Sequence, residues 1–71
     1  MKLKRVYGVM FADYATAPYV GATLYKTVKE AYLAVKDQGF TKRIGPLTYA
    51  HNKHKSYTAE IQTFFIVEES L

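Results

Sequence analysis

Cysteine is absent from this 71-residue chain. Disulfide staples and thiolate zinc sites are therefore both excluded. Long hydrophobic runs are missing as well: stretches such as VYGVMFA (6–12) and FFIV (64–67) fall far short of the roughly 18 apolar residues of a membrane-crossing helix. No glycine-rich phosphate loop can be drawn from the four glycines, which removes the nucleotide-binding turns built on closely spaced glycines. Acidic side chains are scarce, and none lies between Asp37 and Glu60. No cofactor, no metal and no membrane partner is expected from such a composition.

What is present is apolar and aromatic. Apolar residues make up 49% of the chain, with seven tyrosines and four phenylalanines, enough large side chains for a folded core rather than a disordered segment. The length suits one domain spanning 1–71. A domain of this size buries only about 60% of the surface its unfolded chain exposes, and small scaffolds are commonly stapled by disulfides, metal or a partner chain. With the first two removed, a partner chain is the staple that remains.

The opening MKLKRVYGVMFADYATA has the outline of a secretory signal, with a basic lead, an apolar stretch and a small-residue ending. The apolar stretch is minimal, contains Tyr7 and Gly8, and is followed at once by Asp13. Its removal would strip a strand from a chain with few to spare, so cytoplasmic residence is expected.

The net charge of +4 is unevenly spread. Lys42, Arg43, Lys53 and Lys55 make a basic third without a single acid, whereas Glu60, Glu68 and Glu69 make an acidic tail. Such a division attracts a polyanion, or attracts a second copy of itself. Small basic chains of this kind recur among phage and mobile-element proteins, an origin that composition alone does not establish.

LKRVYGVMFA (3–12) is rich in β-formers and reads as a strand. DYATAPYVG (13–21) reads as a loop broken by Pro18 and Gly21, followed by a short extended piece at 22–26. Thr27 and Glu30 form a capping box, each side chain accepting from the other's amide. Val28, Ala31, Tyr32 and Val35 then recur on one helical face, and Gly39 suits a left-handed stop. This predicts a helix over 28–38. Residues 43–51 and 57–68 read as strands, with Pro46 at a strand start or on an edge. The result is an α+β fold: a three-stranded, or four-stranded, mainly antiparallel sheet in the order β-(β)-α-β-β, with one helix on one face.

The two-residue period assigns faces. Tyr57, Ala59, Ile61, Phe65 and Val67 share one side of the last strand; Tyr7, Val9 and Phe11 share one side of the first. Val6, Met10, Phe64 and Ile66 fall on the opposite faces. One helix of about three turns covers one sheet face only, leaving those four residues as an apolar patch. Either a homodimer or another protein docks there, through the face or an edge strand, or the 13–26 segment folds back over it.

YAHNKHKSY (49–57) is the most suggestive local cluster. His51 and His54 are spaced for a metal, but two imidazoles fall short of the three or four ligands zinc needs, and Lys53 and Lys55 repel a cation. Lys42, Arg43, Lys53 and Lys55 can neutralise phosphates of DNA or RNA, His51 and His54 can donate to them, and Tyr49 and Tyr57 can stack on unpaired bases. Tyr49 and Tyr57 are equally in phase with Leu47 and Ile61, which would make them core. Metal-independent RNA cleavage by His51, Lys53, His54 and Tyr57 is the weakest reading, since a hairpin tip holds catalytic groups poorly. The expectation is a non-enzymatic interaction module, with nucleic-acid binding as the alternative.

Overall fold

A computed structural model describes residues 2–13 and 17–68. The elements are β1 (Lys2–Ala12), β2 (Tyr19–Val20), α1 (Val28–Asp37), β3 (Phe40–Gly45), β4 (Thr48–His51) and β5 (Thr58–Glu68). All strands join one antiparallel sheet in the order β2-β1-β5-β4-β3. The α+β class and, among the described residues, the single helix agree with the sequence reading. The sheet, however, has five strands rather than three or four, and the chain order is β-β-α-β-β-β. Among the described residues no helix is long and apolar enough to cross a membrane.

The extra strands have local causes. The expected strand over 43–51 breaks at Pro46, and Gly45 pairs with Thr48 across a two-residue turn. Proline has a fixed φ and no amide to donate, so it fits the first corner of a turn better than a ladder. β3 starts as soon as the helix has ended, and its register skips at Thr41 and Ile44, giving two bulges that twist this outer strand. β2 lies inside the segment read as loop, pairing Tyr19 with Phe11 and Val20 with Met10. Beyond it Tyr25 makes an isolated bridge to Tyr7, each amide donating to the other's carbonyl at 2.8 and 2.7 Å.

The helix is set by its ends and its buried stripe. The Glu30 amide donates to Thr27 Oγ1 at 3.1 Å. The Glu30 carboxylate accepts from the Lys26 amide, not from that of Thr27, so the expected reciprocal box reaches one residue further back. Gly39, with φ of +96°, ends the helix as expected. Ala31 and Val35 are fully buried, and the Tyr32 ring lies 5.4 Å from that of Tyr49. They close a core of Val9, Phe11, Phe40, Tyr49, Ala59 and Ile61, with Tyr7, Tyr25 and Tyr57 packed around it.

β1 and β5 pair over eleven residues, from Lys2 opposite Glu68 to Ala12 opposite Thr58. A strand of that length spans about 37 Å, whereas the ten-residue helix spans about 15 Å. The helix and the flanking strands meet only one end of the ladder. At the other end Lys2–Val6 and Phe64–Glu68 form a two-stranded ribbon, which makes the molecule elongated at 46 × 24 × 18 Å.

The junction at Gly39 is the most demanding backbone position. A Cβ there would stand 2.7 Å from His51 Nε2 in addition to occupying a left-handed conformation. Gly39→Ala is expected to cost about 2 kcal/mol, lowering Tm by roughly 8–16 °C in a thermal melt. Gly45→Ala, where the nearest atom is an ordinary 3.5 Å away, should leave Tm almost unchanged.

Candidate interaction surface

The register puts Val6, Met10, Phe64 and Ile66 on one sheet face, opposite the helix, with Val6 directly across from Phe64. They do not form one open patch. Val6 is only 5% exposed and offers no surface to a partner, which corrects its place in the expected contact. Met10 is half-buried, its sulfur accepting from Gln62 Nε2 at 3.7 Å. Phe64 lies across Gly8, its ring edge 2.8 Å from where a Cβ would be; Leu24 closes on the same point at 3.5 Å. The 21–26 segment thus lends one side chain to the second face without covering it. Ile66 remains 39% exposed, and Leu24 and Val20 are exposed beside the patch.

The larger apolar surface is on the side expected to be under the helix. Leu3, Phe65 and Val67 share the core-facing phase, yet are 62%, 59% and 51% exposed. They lie on the ribbon, past the reach of α1. The expected helix over 28–38, set against the longer expected strand over 57–68, already carried this signal in the sequence. The Arg5 guanidinium stands 5.8 Å from the Phe65 ring centroid, a cation–π contact across the ladder.

The ribbon is also open at both edges. The Ile61 amide donates to the Leu47 carbonyl, so Ile61 directs its backbone groups away from β1. By two-residue alternation Thr63, Phe65 and Val67 do the same. β4 reaches no further along β5 than Glu60 and this Ile61 contact, so among the described residues nothing meets those groups. On the opposite edge Tyr7 and Val9 turn toward Tyr25 and Gly21, which leaves Leu3 and Arg5 facing outward.

The basic cluster divides differently from expectation. Lys42, Arg43, Lys53, His54 and Lys55 are exposed. Arg43 Nε donates to the Gly45 carbonyl at 3.1 Å. Tyr49 is a buried core residue and is not a stacking platform. Tyr57 packs its ring 5.0 Å from Phe40 and shares a 3.0 Å hydrogen bond with the Tyr19 hydroxyl, so it too belongs to the core rim. Both tyrosines follow the phase of the strand rather than the chemistry of the loop.

His51 is absorbed by the turn. Its Nδ1 accepts from the amides of Lys53 and His54 at 3.1 and 3.2 Å, and its ring meets Phe40 edge-on at 5.1 Å. That nitrogen is used to shape the 51–54 bend. Among the described residues no three His, Cys, Asp or Glu side chains converge. A cleft of about 200 Å³ lies beside Gly21, Tyr25 and Gln38, and a wider, open depression of about 730 Å³ lies along Leu33, Ala34, Lys36 and Asp37 of α1.

Comparison of the chain with family models, with curated proteins and with solved structures finds no match. What the protein does has to be read from its own surface.

The hydrogen bond to Tyr19, then burial against the core, and then the charges of Tyr19 and Asp13 hold the Tyr57 phenol above the ordinary tyrosine range. A group raised on folding binds its proton more tightly in the native state, so its stabilisation is full below about pH 10 and is lost as pH rises through the native value. Phenolate absorbance should show Tyr57 ionising later than an exposed tyrosine. Tyr19→Phe should bring that ionisation back toward pH 10 and flatten the alkaline fall in stability.

Proposed function

We propose that this protein is a non-enzymatic interaction module that pairs with itself or with another protein through the β1–β5 ribbon. One observation carries the reading: a ribbon whose β5 strand is apolar on both faces, with Leu3, Phe65, Ile66 and Val67 exposed, projects beyond α1. Contiguous apolar surface of this kind marks association sites, and unpaired strand edges accept a further strand. The contact proposed here centres on Phe64, Phe65, Ile66 and Val67 rather than on Val6. A cytoplasmic setting is part of the proposal. Its support is that β1 lies inside the sheet between β2 and β5, so cleavage as a secretory leader would remove the strand to which both are paired.

The double substitution Phe65→Glu with Ile66→Glu tests this. The new carboxylates would stand opposite Arg5 and Lys4, so the ladder keeps favourable cross-strand pairs and melting should change little. Light scattering and quantitative pull-down should show the wild type either self-associating or holding a stoichiometric protein partner, with both behaviours lost in the variant. A wild-type monomer that retains no partner would overturn the reading.

A second reading rests on the exposed Lys42, Arg43, Lys53, His54 and Lys55, cations of a sequence stretch without an acidic residue that would meet nucleic-acid phosphates without the stacking tyrosines. If it holds, affinity for duplex DNA falls with salt at a log–log slope of about −0.9 per phosphate contacted. Replacing Lys42, Arg43, Lys53 and Lys55 by alanine should abolish binding. Failure to bind DNA or RNA at low salt would reject this reading.

A further inference from the structure

We infer that the partner on this ribbon is a second copy of the chain, added antiparallel to the open edge of β5 with Phe65 at the two-fold centre. The inference rests on the interaction reading and names its occupant and register.

Four strand edges are available, and three are blocked by devices that natural sheets use against unwanted pairing. β2 is only two residues long. β3 carries two bulges, with Lys42 and Arg43 along it. The free part of β1 carries Lys2, Lys4 and Arg5, so two copies meeting there would set cations beside cations. β5 from Gln62 to Val67 reads QTFFIV, without a charge, a proline or a bulge.

The open stretch of β5 is also self-complementary. It runs from Gln62 to Glu68, seven residues whose middle is Phe65. Antiparallel pairing about that middle sets Phe65 against Phe65 and Thr63 against Val67 of the second copy. These are the three residues whose backbone groups face outward, so all three find outward-facing partners and six backbone hydrogen bonds close. Centring on Phe64 would require Ile61, whose amide is already given to Leu47. On one face the two Phe65 rings meet beside Val67; on the other, Phe64 meets Ile66. No two like charges are opposed. Arg5 and its symmetry mate would be three strand spacings apart, about 14 Å, beyond the roughly 8 Å Debye length at physiological salt. Two five-stranded sheets would become one of ten strands.

The contact is narrow compared with standard protein interfaces, so association should be reversible and concentration-dependent. The chain is short enough for chemical synthesis, and N-methylation of the Phe65 amide removes one outward donor while keeping every side chain and the β1 ladder. Sedimentation across a concentration series should show a dimer for the wild type and a monomer for N-methyl-Phe65, both with unchanged circular dichroism. Phe65→Glu and Phe65→Lys should each be monomeric alone and form a one-to-one dimer when mixed, because the centre pairs residue 65 with itself. A wild-type dimer indifferent to N-methylation, or a charged pair that fails to associate while each variant stays folded, would overturn edge pairing. A wild-type monomer overturns the homodimer; if that monomer still holds a different protein and loses it on Phe65→Glu, the interaction reading stands while this inference falls.

Discussion

Antiparallel pairing of Lys2–Ala12 with Thr58–Glu68 joins the two ends of the chain, and every other strand hangs from that ladder. β2 and the Tyr25 bridge attach to the outer side of β1, β4 attaches to β5, and β3 attaches to β4. The paired residues are separated by between 46 positions (12 to 58) and 66 positions (2 to 68). Such contacts become favourable only after a long loop has been closed. The helix and the 40–51 hairpin lie inside that loop, and their burial depends on the ladder that encloses them.

At the enclosed end a small core is built largely from rings. Phe40 and Val35 are its largest fully buried side chains. Phe11 lies 5.6 Å from both Phe40 and Tyr19, and Tyr57 lies between Phe40 and Phe11 at 5.0 and 6.2 Å. Tilted and edge-on contacts at these distances add to burial, which suits a chain without disulfides. The buried side-chain polar atoms among the described residues all have partners. The open end has the reverse character: β5 is apolar on both faces there, and among the described residues the outward backbone groups of the ribbon have no partners. One strand pair therefore serves as the scaffold of the core and as the exposed surface.

Much of this was legible in the residues. The 28–38 helix rests on short-range signals, namely Thr27, the 28-31-32-35 stripe and Gly39, and it forms within one residue of expectation. The face assignments of β1 and β5 also hold, because a two-residue period survives any twist of the sheet. The break at Pro46 was missed because β-forming residues flank it on both sides and a proline fits a strand edge as well as a turn. β2 was missed because two residues leave no period to read. In the 49–57 cluster, the same tyrosine and histidine types serve a loop or a core, and only the strand phase separates the two.

The sequence alone determined an α+β class, one capped helix, the two faces of the long strands and an excess of apolar β surface over what one helix can shield. Those properties follow from local spacing and composition. Tertiary structure decided where the excess lies: on Leu3, Phe65, Ile66 and Val67 at the ribbon, with Val6 withdrawn and Phe64 folded over Gly8. It also decided that Tyr49, His51 and Tyr57 serve the core and the turn. The reason is that exposure depends on how far a helix of about 15 Å reaches along a ladder of about 37 Å, and that offset is set by long-range register.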